Sequence, residues 1–175
     1  MEKREVLFTN KDLKSLIIPL IIEQMLTVTV GLADSIMISS VGEAAVSGVS
    51  LVDSIMVLLI NMFAALATGG AVVAGQYLGQ KKHVMACKTA DQLILFISAL
   101  ALAIMAGIYA MRGLILHGVF GAIEPAVMHN AEVYLLIVTA SIPFLAVYNG
   151  CAALFRTMGN SKIAMQMSLF MNAIN

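Results

Sequence analysis

Tryptophan is absent from this chain of 175 residues, and charged residues are scarce, at 11% of the total. A soluble globular domain carries about 25% charged and about 45–50% apolar residues. Here hydrophobic residues make up 61% of the sequence, and the mean hydropathy is +0.96. This balance excludes an ordinary soluble domain. It predicts an all-α integral membrane protein, a polytopic helical bundle surrounded by the lipid bilayer.

Cysteine and histidine are too few and too scattered to build a metal or redox centre. Cys87 and Cys151 form no CxxC pair, and His83, His117 and His129 lack a ligand spacing such as HxxxH. The sequence also has no GxxxxGK[ST] loop for ATP, and no HExxH or GxSxG motif of a membrane-embedded enzyme. We therefore predict no enzymatic activity, no metal, no cofactor and no nucleic-acid partner.

Long apolar runs are the main positive feature of the sequence. They predict membrane-spanning helices at roughly 15–39, 52–76, 89–111 and 132–155, because each run reaches the ~20 residues that cross the hydrocarbon of a bilayer. A fifth run, 162–175, extends only about 20 Å as a helix and is too short to cross. We therefore expect the chain to be a fragment of a longer protein, cut inside its fifth helix.

Lysine and arginine lie mostly on one side of these segments. Nine of the ten precede the first helix, separate helices two and three, or flank the loop before the fifth, and Arg112 is the exception. The positive-inside rule then predicts a multi-pass protein of the cell (inner) membrane with a cytoplasmic N-terminus. On the opposite side, the half-apolar loop 112–131 is expected to form a short interfacial helix broken at Pro125.

Two carboxylates interrupt the first apolar run, although ionisable groups are costly inside a membrane. Glu23 and Asp34 are eleven residues apart, which places them on nearly the same helix face, with Thr27 between them. Pro19 removes a backbone hydrogen bond and is expected to kink this helix. The stripe is suited to binding a cation or a proton. The alternatives are that Asp34 lies at the outer headgroups and that Glu23 is a snorkelling or hydrogen-bonded group.

Other polar and aromatic residues have simpler interpretations. Asp53 and Asp91 are expected at the starts of helices two and three, where the helix dipole favours negative charge. Phe144, Tyr148 and Asn149 on helix four could line a cavity for flat organic cations through cation–π contacts, although core packing is the simpler alternative.

Small residues repeat every four positions in the second helix. This pattern predicts a ridge where another helix approaches closely. The ridge consists of Ala67, Ala71, Gly75 and Gly79.

Three stretches together resemble the multidrug and toxic compound extrusion (MATE) transporters. IPLIIEQ followed by GLADSIMISSVGEAAVSGVS resembles their first helix and the loop after it. ATGGAVVAGQYLGQKK resembles their second helix and cytoplasmic loop, and IPFLAVYNGCAALFRTMGNSKIAM resembles their fourth helix and the Arg-x-x-Gly turn into the fifth. The resemblance extends in order over essentially the whole chain.

This resemblance implies a twelve-helix, two-lobe antiporter that exports organic, often cationic, compounds in exchange for Na⁺ or H⁺. Residues 1–175 would then form part of its N-terminal lobe, the first four and a half helices. Asp34 matches the family's acidic coupling residue in helix one, and Pro19 matches its helix-one proline. Asn175 resembles the first residue of an Asn-x-x-x-Asp pattern in helix five, and Glu23 belongs to only part of the family's pattern. The remainder of the same transporter would then be an obligatory partner of this chain.

Two other functions stay open at this point. A lipid-linked oligosaccharide flippase of the same wider fold would have a cavity rich in arginine, but only Arg112 and Arg156 lie near helices, both at helix ends. A structural membrane subunit without transport activity would leave Glu23 and Asp34 without a purpose.

Overall fold

Five α-helices form the computed structural model, which describes residues 10–121 and 123–174. The helices are α1 (Asn10–Ser39), α2 (Glu43–Gly79), α3 (His83–Phe120), α4 (Pro125–Thr157) and α5 (Ser161–Ile174). The described residues contain no strand. The first four helices are long and apolar enough to cross a membrane, over Leu13–Ser39, Glu43–Gly79, His83–Gly118 and Pro125–Thr157. The prediction of an all-α, polytopic membrane protein is confirmed.

The helices extend beyond the predicted segments at most of their ends. Helices α2 and α3 have 37 and 38 residues, which corresponds to about 55 Å, longer than the ~30 Å hydrocarbon layer. Hydropathy detects only the part of a helix that lies in lipid, whereas the helix itself continues into more polar sequence. The predicted interfacial helix within 112–131 is wrong, because α3 continues to Phe120 and Pro125 is the first residue of α4.

Helices α2, α3 and α4 pack together and enclose the hydrophobic core. Their buried residues recur every four or seven positions, which is the spacing of one helical face. On α2 they are Val52, Met56, Phe63, Ala67 and Ala71; on α3, Leu93, Ile97, Ala101 and Ile108, followed by Leu116 after eight positions; on α4, Ala131, Leu135, Ile142, Ala146 and Ala153. The opposite faces expose large apolar side chains such as Leu58 and Leu95, as expected for surfaces that meet lipid.

Small residues bring α2 close to its neighbours, as the four-residue repeat of small side chains predicted. Ala67 and Ala71 are both 1% exposed, and a Cβ atom on Gly75 would collide with the side chain of Thr157. Gly79 departs from the pattern, because nothing lies within 4 Å of the position of its Cβ. The closest backbone approach lies elsewhere, at Gly48, whose Cβ would stand 2.9 Å from the amide nitrogen of Ala131 on α4.

Helix α1 lies apart from this three-helix core. It packs chiefly against α5 and meets α2 over a short stretch. The short turn between α4 and α5 places α5 beside α1. In this turn Gly159 has φ 80° and its N–H bonds to the carbonyl of Arg156 at 3.0 Å, while the N–H of Asn160 bonds to that of Phe155 at 2.9 Å. This is the Schellman arrangement that ends a helix at a glycine.

The basic residues of the described helices lie mostly at one end of the bundle. Lys14 and Lys162 line the same groove, where α1 and α5 begin. His83 and Met158 line a second pocket where α3 begins and α4 ends, close to Lys81 and Lys82 of the preceding turn. Arg112 lies towards the other end, where its Nε is 3.7 Å from Oε1 of Glu132.

Candidate functional site

A cavity of about 360 Å³ lies between α1, α2, α4 and α5. Its lining is unusual for an apolar bundle, because seven of the nine lining residues are polar. Those seven are Glu23, Gln24, Thr27, Tyr148, Asn149, Arg156 and Ser168; the other two are Ile60 and Leu145. Pockets for small organic molecules in proteins have volumes of ~300–1,000 Å³ with a few placed polar groups. The cavity therefore falls in the size range that accepts such a molecule.

Glu23 provides the buried charge of this cavity. Its side chain is only 11% exposed, and its Oε1 atom accepts two hydrogen bonds. Arg156 donates from Nη2 at 2.6 Å, and the hydroxyl of Tyr148 donates at 3.1 Å. Its second oxygen, Oε2, is buried without a hydrogen-bond partner. The carboxylate is thus neutralised through one oxygen only.

The local fold explains why these three side chains meet. Tyr148 and Arg156 are eight residues apart on α4, about two helical turns, so both lie towards the cavity. Arg156 lies in the last turn of α4, directly before the Gly159 turn, from which its long side chain reaches back to Glu23. Ser168 of α5 is hydrogen-bonded to the Tyr148 hydroxyl. The network therefore connects α1, α4 and α5.

Backbone bonds hold two further residues of the lining. The Thr27 hydroxyl donates to the carbonyl of Glu23 at 3.0 Å, and Nδ2 of Asn149 donates to the carbonyl of Leu145 at 3.0 Å. Both side chains are thereby oriented by their own helices. Pro19 is buried in α1, which continues as helix through it, so the kink expected there stays a prediction.

Asp34 lies outside this cavity, near the far end of α1. Its charge acts on Tyr134 of α4, and the hydroxyl of Tyr134 donates to Oδ1 of Asp53 on α2 at 2.9 Å. Asp34 therefore lies apart from the other two residues of the predicted stripe. Glu23 and Thr27 line the cavity, whereas Asp34 interacts electrostatically with Tyr134. All three residues of this second group, Asp34, Asp53 and Tyr134, belong to different helices.

The structure corrects the positions of two aspartates. Asp53 lies ten residues after the first residue of α2, and Asp91 lies eight residues after that of α3. Neither residue is in a first turn, so the predicted interaction with the helix dipole is wrong. Both helices begin earlier than hydropathy indicates, and Asp53 instead joins α2 to α4 through Tyr134.

Two other predicted site residues have different outcomes. Phe144 is 77% exposed and is not part of the cavity lining, because it lies on the opposite face of α4 from the core. Asn175 lies outside the described residues.

Sequence reasoning missed Arg156 and Ser168 as cavity residues. Arg156 was counted only as a positive charge at a helix end, and nothing in the pattern of charges links it to a residue 133 positions earlier. Among the described residues, no three His, Cys, Asp or Glu side chains are placed to hold a metal ion. Chemically, the site offers one carboxylate, one guanidinium, three hydroxyls and two amides around an open volume, which are the groups of a binding site.

Comparison with known proteins agrees with this architecture. A family model described as MatE matches residues 19–175. The uncharacterized transporter YisQ of Bacillus subtilis (strain 168) is 30% identical over 164 residues, which cover 94% of this chain and 36% of that protein. The structure of a MOP superfamily transporter from Pyrococcus furiosus Vc1 (DSM3638) superposes with a TM-score of 0.86 at 20% identity. It is described as having a reverse polarity of the binding pocket that suggests a different function.

The four long apolar helices of the described residues define a class of protein, the polytopic membrane proteins. Within that class, the chain belongs to the MatE family, whose model matches most of its length. The superposition covers 93% of this chain but only 36% of the Pyrococcus structure. The chain likewise spans only 36% of the length of YisQ.

Proposed function

We propose that the polypeptide carrying this chain is an ion-coupled antiporter, which exports small organic and often cationic compounds in exchange for Na⁺ or H⁺. One observation supports this above the others: a cavity of about 360 Å³, lined mostly by polar residues, contains the buried carboxylate of Glu23 inside an apolar bundle. Intramembrane acids usually mark an ion or substrate pathway, because their burial is costly.

Several of the predicted residues have a role in this proposal. Asp34 and Asn175 bind the coupling ion, whereas Glu23 belongs to the cavity that takes the substrate. Tyr148 and Asn149 line the same cavity. Transporters of this type rock two repeats about a central site, so the remainder of the transporter is a required partner. The complete transporter spans the cell (inner) membrane, and the basic end of the bundle faces the cytoplasm.

The complete transporter, reconstituted in liposomes with ethidium inside, tests this proposal. An imposed H⁺ or Na⁺ gradient should drive ethidium export by the wild-type protein. Asp34→Asn should abolish the gradient dependence, because a neutral amide cannot exchange a proton or balance a sodium ion. Asp91→Asn, which changes an exposed aspartate on α3, is the matched control and should export normally. Undiminished gradient-driven export by Asp34→Asn would contradict the coupling role.

A flippase for lipid-linked oligosaccharides is the second candidate, and one observation favours it. Arg156, which the sequence placed only at a helix end, lines the cavity, as a site for anionic phosphate requires. Its charge is already paired with Glu23, and Arg112 is paired with Glu132 on the bundle surface. This pairing leaves no net positive charge in the cavity to attract an anionic phosphate. Translocation of a fluorescent lipid-linked pyrophosphate, with no ethidium export, would support the flippase instead.

A further inference from the structure

The ion pair between Glu23 and Arg156 is incomplete. A bidentate arginine–carboxylate pair uses two N–H groups and both carboxylate oxygens. Here Nη2 of Arg156 and the Tyr148 hydroxyl both bind Oε1. The Nε of Arg156 and the Oε2 of Glu23 are each buried without a hydrogen-bond partner. A buried pair in this state gains little over its desolvation cost, because its remaining polar atoms are unsatisfied.

The two partners differ in how firmly they are held. The side chain of Arg156 is 36% exposed, against 11% for Glu23. Arg156 also lies in the last turn of α4, beside the basic end of the bundle, so its flexible side chain can turn towards that end and keep its charge solvated. The carboxylate has no such alternative, because it lies on α1, thirteen residues after the helix begins.

We propose that Glu23 is the recognition site for a guanidinium or ammonium group of a transported compound, and that Arg156 occupies this site until the compound displaces it. The inference rests on the proposed function, export of organic cations, and it names the group that the cavity recognises. Exchange of one cation for another leaves the buried carboxylate neutralised throughout. The ring of Tyr148 lies beside the same carboxylate and adds an aromatic surface for the incoming cation.

This arrangement makes Arg156 an internal competitor of the substrate. Removal of the guanidinium should therefore tighten cation binding, although it removes a residue from the wall of the cavity. Removal of a residue that merely shapes the cavity would weaken cation binding or leave it unchanged. The direction of the change in affinity thus separates the competitor role from a structural role.

The test is the equilibrium binding of ethidium to the purified complete transporter in detergent without an ion gradient, followed by fluorescence anisotropy. Arg156→Gln should lower the Kd for ethidium about tenfold or more, and Glu23→Gln should raise it by a similar factor, given the energy of one hydrogen bond to a charged group. The double variant Glu23→Gln/Arg156→Gln should bind as weakly as Glu23→Gln alone. Arg112→Gln removes an equal charge from the exposed pair with Glu132 and should leave the Kd unchanged.

Three results would overturn the inference. The first is unchanged or weaker ethidium binding by Arg156→Gln. The second is a gain in affinity that persists in the double variant, which would show a general effect of net charge. If Arg156→Gln fails to give folded protein, Arg156→Lys decides, because a lysine lacks the planar fork and competes less well; unchanged or weaker binding by that variant is the third.

The binding test and the export test fail independently. The predicted order of Kd values without gradient-driven export by the wild-type protein would support the recognition site and contradict the antiporter. Gradient-driven export without that order of Kd values would support the antiporter and contradict the recognition site.

Discussion

Nη2 of Arg156 lies 2.6 Å from Oε1 of Glu23, a residue 133 positions earlier in the chain. This pair links α4 to α1, which otherwise packs chiefly against α5 and meets α2 only briefly. The contact lies in the wall of a cavity of about 360 Å³. The Glu23 carboxylate, bonded to both Arg156 and Tyr148, thus connects α1 to α4 of the core and marks the site at which we expect substrate to bind.

The first prediction concerns the stability of the protein. Arg156→Gln should destabilise the transporter by about 1–3 kcal/mol, because it leaves the Glu23 carboxylate buried with one hydrogen bond fewer. Glu23→Gln/Arg156→Gln should recover part of this loss, since the double variant contains no buried charge. Thermal unfolding in detergent measures both effects. If the stability lost in the double variant equals the sum of the losses in Glu23→Gln and Arg156→Gln, the two side chains are not energetically coupled.

A second prediction concerns the contact between α2 and α4. Gly48→Ala should lower stability by about 1–3 kcal/mol, the usual cost of overpacking a well-packed site. The added Cβ would lie 2.9 Å from the carbonyl oxygen of Val127 and from the amide nitrogen of Ala131, and neither backbone atom can move alone. Gly69→Ala on the same helix is the control, because nothing lies within 4 Å of its Cβ position. Equal melting temperatures for both variants would contradict the close approach.

The third prediction tests the turn that positions Arg156. Gly159 has φ 80°, so Gly159→Ala should cost about 1–2 kcal/mol from the left-handed conformation alone. Because the turn orients the last residues of α4, Gly159→Ala should also weaken the competition of Arg156 with ethidium for Glu23. Gly113→Ala in the middle of α3, where nothing lies within 4 Å, should be neutral or slightly stabilising. Thermal unfolding and the ethidium Kd provide the two measurements.

Hydropathy predicted the helices but not their ends. The apolar runs identified all four membrane helices because lipid selects about 20 consecutive apolar residues. Residues such as Glu43 and Arg112 belong to the same helices, yet they fall outside any apolar run. This is why Asp53 was expected at the start of α2, although it lies well inside the helix.

The candidate site was predictable only in part, and for a physical reason. Helical periodicity relates residues on one helix, so it placed Glu23 and Thr27 together, and both line the cavity. It also placed Phe144 one turn from Tyr148, but only Tyr148 lines the cavity. It cannot relate different helices. The pairing of Glu23 with Arg156 and the approach of Asp53 to Tyr134 both depend on how helices pack. The separation of Asp34 from Glu23, in contrast, follows from helix rise alone, because eleven residues of α1 extend about 16 Å.

The most direct test of the account asks whether a substrate occupies the cavity next to Glu23. In the complete transporter with Cys87→Ser and Cys151→Ser, Thr27→Cys places a thiol on the cavity wall, whereas Thr29→Cys places one on α1 outside the lining. A charged methanethiosulfonate reagent should modify Thr27→Cys, and ethidium should slow that reaction, because both compete for the same volume. Thr29→Cys should react slowly and without an effect of ethidium. Equal modification rates at Thr27→Cys with and without saturating ethidium would contradict a substrate site in this cavity.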